Sequence, residues 1–367
     1  MKKIMIIAGG TGGHIFPALT VADHCYAQGV SIHWLGAEGG MEEGLVDDRY
    51  HLETVKISGL RGKSKWIKLF APLQICRAVW QSLRILNRVK PDVVIGMGGF
   101  VSGPGGFAAW LLRIPLVVHE QNSVLGLTNR ILSRLAKANL QAFPNAFPAR
   151  ANAKTVGNPV RQDIAALSEP ATRYQFHRGP VRVLIIGGSR GAKNINRLMM
   201  DVFAQWGEHE KPLVWHQTGS ADFETVKAAY EQDAPLSIVD PFIRDMAAAY
   251  AWADIVVARA GALTVSELSS VGLASILIPF PHAVDDHQYL NGKWLADQGG
   301  ARIYKESELS VEKMRTNLLE LIMQGEKRLA MAEIAHRFGQ PASGAKVIAA
   351  CENVYRQSKG VTSVTVD

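Results

Sequence analysis

The chain has 367 residues, of which 47% are hydrophobic and 20% are charged, and its formal net charge is +7 with a pI near 9.3. This composition excludes a disordered chain, and at roughly 100–200 residues per domain the length predicts two domains. The basic charge balance favours a partner that carries phosphate: nucleic acid, anionic lipid or a phosphorylated small molecule.

Neither the cysteines nor the first residues indicate a secreted protein. Cys25, Cys76 and Cys351 are odd in number and far apart, which argues against a disulfide framework or a zinc site. The start of the chain looks like a signal peptide, but its apolar run is too short, so we expect a buried strand at residues 3–8. No segment reaches the roughly 20 apolar residues that cross a bilayer.

Short apolar runs alternate with amphipathic stretches along the chain. The predicted strands are residues 3–8, 31–35, 93–96, 116–119, 183–186, 213–217, 255–258 and 275–278. The predicted helices include residues 15–28, 75–89 and 192–206. Strands that alternate with helices form parallel sheets, and continuous apolar strands indicate that both sheet faces are covered. The predicted fold class is therefore α/β.

The start of the chain resembles a segment near its middle. The strand at 3–8 runs into GGTGG at 9–13, and the run at 181–186 leads into GGSRG at 187–191. Each half therefore opens with a strand, a glycine loop and a helix, which predicts two similar α/β domains joined within residues 156–180. In open α/β sheets ligands bind beyond the carboxyl ends of the strands, so we expect the site there.

The glycine loops have the composition of a phosphate site. Glycine allows positive φ and close backbone approach, and the following helix N-terminus presents free N–H groups. Such loops also occur as simple tight turns. The dinucleotide-binding fingerprint, G-x-G-x-x-G/A with an acidic residue at the end of the second strand, fits poorly. Ile15 stands at the third small position, that of the last glycine or alanine, and no acidic residue ends the second strand at 34–36. A third glycine stretch, GGFVSGPGG at 98–106, is expected to shape itself around a ligand.

Polar residues follow three more predicted strands, as HEQN at 119–122, RAGALTVSE at 259–267 and PFPHAVDDHQ at 279–288. The first group also suits a helix cap, whereas the second suits an anion at a helix N-terminus, with Glu267 in reach of sugar hydroxyls. The third group contains Asp and His, as metal sites do. However, no two aspartates are separated by one residue, so the D-x-D pattern of many metal-dependent sugar transferases is absent. We expect neither metal nor cofactor.

Residues 61–90 contain eight basic residues, no acidic one, and interleaved apolar side chains. Such a mixture is typical of a surface that binds anionic headgroups and inserts shallowly into a membrane. An ordinary amphipathic helix with a solvated basic face is the simpler alternative. Nucleic-acid binding uses similar charge, but no recognised nucleic-acid module accompanies it.

Together these residues resemble the MurG family of bacterial cell-wall glycosyltransferases, which convert lipid I into lipid II. The motifs come in the family's order and span nearly the whole chain: 9–14, 98–106, 119–122, 157–161, 187–189, 259–267 and 279–288. The resemblance implies a GT-B architecture of two Rossmann-like parallel-sheet domains facing a central cleft. Residues 1–160 would face acceptor and membrane, and residues 161–367 would bind UDP-GlcNAc, with the last helix packing back on the first domain.

The resemblance also implies the reaction, an inverting, metal-independent transfer of GlcNAc from UDP-GlcNAc to the C4 hydroxyl of lipid-linked MurNAc-pentapeptide. The substrate-binding residues that it implies are Thr11, Gly12, Gly13, Asn122, Arg161, Ser189, Ile243, Ala262, Leu263, Thr264, Val265, Ser266, Glu267 and Gln288.

Individual roles follow from the same resemblance. Ser189 would meet a phosphate, the Ile243 backbone would read uracil, and Arg161 would approach the nucleotide. Glu267 would hold ribose and Gln288 the GlcNAc hydroxyls. The implied location is the cytoplasmic face of the bacterial inner membrane, as a peripheral protein, with other cell-wall synthesis proteins as further partners.

Such a reaction needs a base for the acceptor hydroxyl. His14 is the first candidate, because the dipole at a helix N-terminus disfavours imidazolium and keeps the ring able to accept a proton. His14 could instead orient or cap, and His119 and Glu120 are competing candidates. Two other functions stay open: a UDP-GlcNAc epimerase, which needs no acceptor, and a non-enzymatic protein that binds a nucleotide sugar or a membrane.

Overall fold

The chain forms two compact units in a computed structural model that describes residues 1–59, 71–176, 179–188, 191–206, 211–233 and 237–360. The first unit comprises Met1–Arg161 and the chain from Ala342 onward, and the second comprises Gln162–Pro341. The last helix therefore belongs to the first unit, although it follows the second in sequence.

The first unit alternates strands and helices as the sequence predicts. Its strands are β1 (Lys3–Ile7), β2 (Ser31–Ala37), β3 (His51–Val55), β4 (Val93–Gly96), β5 (Leu116–Glu120), β6 (Ala138–Gln141) and β7 (Lys154–Thr155). Its first helices are α1 (Gly12–Ala27), α2 (Ala71–Val89), α3 (Ser102–Leu111) and α4 (Leu127–Leu132). Short 3-10 turns occupy Met41–Gly44 and Ala149–Ala151.

The second unit repeats this alternation. Its strands are β8 (Arg182–Ile186), β9 (Leu213–Gln217), β10 (Ile238–Asp240), β11 (Ile255–Ala258), β12 (Ala274–Leu277) and β13 (Arg302–Ile303). Its helices are α5 (Gln162–Ala165), α6 (Pro170–Phe176), α7 (Lys193–Ala204), α8 (Phe223–Asp233), α9 (Met246–Trp252), α10 (Ala262–Val271), α11 (His287–Ala296), α12 (Val311–Met323) and α13 (Gly325–Arg337). Helix α14 (Ser343–Ser358) returns to the first unit.

Both sheets are parallel and have the same strand order. The first sheet runs β3-β2-β1-β4-β5-β6-β7, and the second runs β10-β9-β8-β11-β12-β13. In each, the first strand of the unit lies centrally, between its second and fourth strands. This is the Rossmann-type order, so the predicted α/β fold class with two parallel-sheet domains is confirmed.

The central strand shows why these strands read as continuous apolar runs. Side chains alternate between the faces of a sheet, and in β1 both faces are covered. Ile4 and Ile6 pack into a core with α1 and α14, whereas Met5 and Ile7 pack into a second core with α2 and α3. Helix α14 therefore completes one face of the first sheet.

One sequence observation changes with the structure. Strand β2 extends to Ala37 rather than ending at 34–36, so the acidic residue Glu38 follows it directly. Glu38 pairs with Lys56 across 3.4 Å, and Ile15 still fills the third small position of the first glycine loop. The chain therefore keeps only part of the dinucleotide pattern.

Candidate active site

In the first unit, the chain leaves the neighbouring strands β1 and β4 in opposite directions, which opens a crevice at their carboxyl ends. The loops that follow these strands meet there. Met97 N–H donates to the Ile7 carbonyl across 2.8 Å, and the Ser102 hydroxyl donates to Ile7 and Gly98 carbonyls. A Cβ at Gly99, where φ is +80°, would overlap the Gly9 carbonyl oxygen. Glycine is required for this contact.

Helix α1 begins directly at the crevice and carries the base candidate in its first turn. Thr11 caps the helix in an extended conformation, and its carbonyl accepts from His14 N–H across 3.0 Å. The Thr11 hydroxyl oxygen also lies 3.1 Å from His14 Nδ1. Thr11 and Gly13 are exposed and His14 is half-buried, so the imidazole is oriented by Thr11 and reachable from outside.

A fully buried carboxyl group lies beneath this glycine loop. Glu42, which is 0% exposed, accepts from Ala37 N–H across 2.5 Å and from Gly10 N–H across 3.4 Å. Its side chain fills space that exists because residues 9, 36 and 40 are glycines, since a Cβ at any of them would collide with it. Sequence reasoning missed Glu42, and its only local signal is the GG pair that precedes it.

The two competing base candidates are buried at the end of β5. His119 is 0% exposed, its Nε2 lies 2.9 Å from the Gly157 carbonyl oxygen, and burial lowers its pKa to about 4. Glu120 is 2% exposed and accepts from Asn129 Nδ2 across 2.9 Å and from the backbone N–H groups of Asn122 and Gly126. Burial raises the pKa of Glu120, and these hydrogen bonds oppose the rise. The Glu120 side chain therefore holds the loop that carries Asn122, whereas the His119 side chain contacts the segment at Gly157.

Gln121, the next residue, belongs to the HEQN motif, but sequence reasoning assigned it no role of its own. Its Nε2 donates to the Met97 carbonyl across 2.8 Å, and its backbone carbonyl accepts from Asn158 Nδ2. Its Oε1 is buried and accepts no hydrogen bond from the described residues. A Cβ at Gly98 would touch both this oxygen and the His14 ring, so Gln121 and His14 line the same loop.

The second unit has an equivalent crevice between β8 and β11. Arg259 N–H donates to the Ile186 carbonyl across 3.3 Å, which joins the loops after the two strands. A Cβ at Gly191, where φ is +73°, would overlap the Thr218 carbonyl oxygen. Ser189, the predicted phosphate contact, lies outside the described residues.

Helix α10 presents its N-terminus at this crevice. Gly261 caps it, and the half-buried residues Leu263 and Thr264 lie in its first turn behind the buried Ala262. The Val265 side chain is 0% exposed and lies in the core. The Ser266 hydroxyl donates to the Ala262 carbonyl across 2.9 Å. The first-turn N–H groups, rather than the Val265 and Ser266 side chains, are therefore suited to meet an anion.

A glutamine side chain connects two loops of the second unit. Gln217, at the end of β9, donates from Nε2 to the Gly188 carbonyl and accepts at Oε1 from Ile243 N–H, each across 2.9 Å. The glycine loop is thereby tied to the segment expected to read uracil. Because the Ile243 N–H group is already bonded, the predicted reading of uracil would rely on other backbone groups there.

The remaining predicted residues occupy separate positions. Gln288 accepts at Oε1 from Phe280 N–H across 2.9 Å and so holds the loop at 279–288. Arg259 pairs with Glu306 across 2.5 Å and donates to the Ile278 and Pro279 carbonyls, so its charge is largely neutralised. Arg161 is half-buried at the last position of the first segment of its unit.

Two features are absent from the described residues. No group of three or more His, Cys, Asp or Glu side chains there is arranged to hold a metal ion. Over the same residues, no helix is long and apolar enough to span a membrane.

Comparison with known proteins identifies related chains along the whole length. Residues 4–141 match the glycosyltransferase family 28 N-terminal domain, and residues 182–347 match the C-terminal domain of that family. A Coxiella burnetii protein is 48% identical over 97% of this chain and 99% of its own length. Its name is UDP-N-acetylglucosamine--N-acetylmuramyl-(pentapeptide) pyrophosphoryl-undecaprenol N-acetylglucosamine transferase, and a Pectobacterium carotovorum protein of the same name is 51% identical over 84% of each chain.

Solved structures agree with this assignment. The crystal structure of Acinetobacter baumannii MurG superimposes with a TM-score of 0.83 at 38% identity and covers 96% of this chain and 100% of that one. A Listeria monocytogenes protein described as a UDP-N-acetylglucosamine 2-epimerase reaches a TM-score of 0.66 at 13% identity, which shows a shared fold alone. The resemblance seen in the sequence motifs is therefore confirmed, and the chain belongs to the MurG family of glycosyltransferase family 28.

Proposed function

We propose that this chain transfers GlcNAc from UDP-GlcNAc to the C4 hydroxyl of the MurNAc residue in lipid I, and so forms lipid II for peptidoglycan. The observation that carries the proposal is the near-complete, high-identity match to relatives named for this transfer. The epimerase alternative has only a shared fold in its favour.

The donor is held mainly by the second unit in this proposal. The first-turn N–H groups of α10, at Ala262–Thr264, bind the diphosphate, and Ser189 adds a hydroxyl contact. A helix N-terminus suits an anion because its first amides have no partner within the helix and its dipole is positive there. Glu267 accepts from ribose hydroxyls, Gln288 contacts GlcNAc, and Arg161 approaches the nucleotide. Helix amides, rather than a metal ion, stabilise the negative charge of the departing UDP. Arg259 contributes less to this, because it is already paired with Glu306.

The first unit provides the base. Thr11, Gly12, Gly13 and Asn122 complete the substrate contacts, and His14 takes the proton of the acceptor hydroxyl as that oxygen attacks C1 of GlcNAc. The bond from C1 to the UDP oxygen breaks in the same step, which inverts the α-linked donor to a β-1,4 product. His14 is favoured over His119 and Glu120 because it is accessible and oriented by Thr11, whereas those two are buried.

A variant series tests this assignment. A positioned general base contributes typically 10²–10⁴-fold, so His14→Ala should lower kcat by about that factor with little change in thermal stability. His24→Ala is the control, because His24 lies on the same helix and its Nδ1 lies near the Thr20 carbonyl instead. Near-normal turnover by His14→Ala would contradict the assignment of His14 as the base. A product whose disaccharide linkage is not β-1,4 would contradict the proposed reaction itself.

We also propose that the first unit docks on an anionic membrane. The described part of the predicted segment 61–90 is α2 with Lys90, and residues 60–70 lie outside the described residues. Helix α3 packs against both α2 and α4, and the three helices carry no acidic residue. Trp80 is 56% exposed, Trp110 45% and Leu127 70%, which is unusual for large apolar side chains on one side of a soluble unit.

Basic groups accompany this apolar surface. Arg84 lies 4.7 Å from the centre of the Trp80 ring. The exposed residues Arg77, Arg113 and Arg130 each lie three positions along the chain from one of the exposed apolar residues Trp80, Trp110 and Leu127. Arg88 contributes less, because it pairs with Glu53 across 2.6 Å. Exposed aromatic residues among arginines favour interfacial insertion into anionic lipid.

Vesicle co-sedimentation tests the docking. The chain should bind phosphatidylglycerol vesicles at low salt and bind phosphatidylcholine vesicles weakly, and Trp80→Ser with Leu127→Ser should reduce binding at least fivefold. Met323→Ser is the control, because Met323 is 60% exposed but lies in the second unit. Equal binding by all variants would place the lipid contact elsewhere.

A further inference from the structure

We propose that Tyr250 is a positioning residue that fixes the carboxylate of Glu267 for binding the donor ribose. This inference rests on the proposed function, because it takes Glu267 as the group that accepts from the ribose hydroxyls.

The contact itself is buried and directional. The Tyr250 hydroxyl donates to Glu267 Oε2 across 2.9 Å. Tyr250 is 0% exposed, whereas Glu267 is 8% exposed, so the phenol approaches the carboxylate from the interior of the unit. A hydrogen bond to an ionised carboxylate is roughly twice as strong as a neutral one, and it restricts rotation of the group. The carboxylate is thus held in one orientation before any ligand arrives.

The helix that carries Tyr250 also begins at the segment expected to contact the base. Asp245 caps α9 by accepting Ala248 N–H across 2.8 Å, and it follows Ile243 by two positions. Gln217 fixes the Ile243 peptide through its N–H group. One short helix therefore connects the uracil segment at its start with the ribose carboxylate near its end. This arrangement aligns both nucleoside contacts with each other.

Tyr250→Phe isolates the role, because it removes the hydroxyl and keeps the ring in the core. The carboxylate then loses the hydrogen bond from the phenol, and the ligand has to supply that part of its ordering. A carboxylate that is no longer oriented loses about one hydrogen bond from the ribose, and losing one hydrogen bond to a charged group corresponds to about a tenfold loss of affinity. We expect the Kd for UDP to rise about tenfold and the Kd for 2′-deoxy-UDP to rise less than twofold, as measured by titration calorimetry.

Kinetics give a second readout that a general loss of stability would not produce. The ribose is remote from the reacting C1 atom, so its contacts bind ground state and transition state alike. In Tyr250→Phe the KM for UDP-GlcNAc should rise about tenfold and kcat should change less than twofold. Tyr174→Phe is the control, because the Tyr174 hydroxyl donates to the Asp254 carbonyl across 2.6 Å in the same unit.

A double-variant cycle completes the test. In a Glu267→Gln background, Tyr250→Phe should no longer change the preference for UDP over 2′-deoxy-UDP, since the carboxylate is gone. Equal losses for both nucleotides in Tyr250→Phe, or a wild-type chain without preference for the 2′-hydroxyl, would overturn the inference. Failure of the proposed function is a separate result, because it would appear as absent GlcNAc transfer by the wild-type chain.

Discussion

The buried carboxyl group of Glu42 gives a prediction that depends only on the first unit. Replacing it with glutamine, Glu42→Gln, keeps the shape of the side chain but turns one acceptor oxygen into an NH2 donor. That donor would face a backbone N–H group, either of Ala37 or of Gly10. The glycines around the side chain leave it little room to rotate away.

The expected cost has two parts. A buried N–H group left without an acceptor costs about 1–3 kcal/mol, so the first unit should be destabilised by that amount. The Gly10 peptide also begins the loop that carries Thr11 and His14, and a displacement of about 1 Å in a reacting group lowers turnover by about 10²-fold. We therefore expect kcat to fall about 10–100-fold, with the KM for UDP-GlcNAc changed less than threefold because the second unit holds the donor.

The assay combines urea unfolding with steady-state kinetics. Glu43→Gln is a closely matched control, because Glu43 is exposed in the same 3-10 turn and accepts from Gly39 N–H across 2.8 Å. That variant should keep wild-type stability and kcat. If Glu42→Gln behaved like Glu43→Gln in both measurements, the carboxyl group would not support the glycine loop and the reasoning would be wrong.

Three further predictions concern other contacts. Burial lowers the pKa of His119 from 6.5 to about 4 and that of His216 to about 3, so the unfolded chain binds protons first as the pH falls. Their contribution to the free energy of unfolding is complete above about pH 6.5 and is lost toward pH 4, by up to about 1.4 kcal/mol per pH unit for each histidine. The raised pKa of Glu120 opposes this loss. Urea midpoints from pH 7 to 4 measure the net change. Gly99→Ala should cost at least about 1–3 kcal/mol in the same assay, whereas Gly103→Ala, whose Cβ has ordinary contacts, should not. Thr11→Val should lower kcat about tenfold and Thr11→Ser should restore it, if the hydroxyl orients His14.

The sequence predicts every inner strand except β6 and none of the four edge strands. The apolar run at 3–8 became β1 within one residue, because a strand covered on both faces is apolar throughout. Strand β3 and the two-residue β7 were not predicted, since edge strands such as HLETV and KT carry polar, partly exposed residues. Helix α1 begins three residues before its predicted start, because the cap at Thr11 places two glycines inside the first turn. Tertiary contacts outweigh the low helix propensity of glycine there.

The candidate site divides in the same way. Motifs that directly follow a strand could be placed at the carboxyl ends, because parallel strands bring these ends to one edge of the sheet. Contacts between segments distant in sequence could not be predicted. Glu42 reaches Gly10 across 32 positions, and Gln217 reaches Ile243 across 26. Neither residue belongs to a recognisable motif, and each is visible only when the loops are packed together.

The measurement that tests the central claim most directly is UDP release from UDP-GlcNAc in excess EDTA, with and without a short-chain lipid-linked muramyl-pentapeptide. We predict release only when the acceptor is present, at a rate that EDTA does not change. UDP release or conversion of the sugar without acceptor, or no release with it although UDP-GlcNAc binds, would contradict a metal-independent transfer to lipid I.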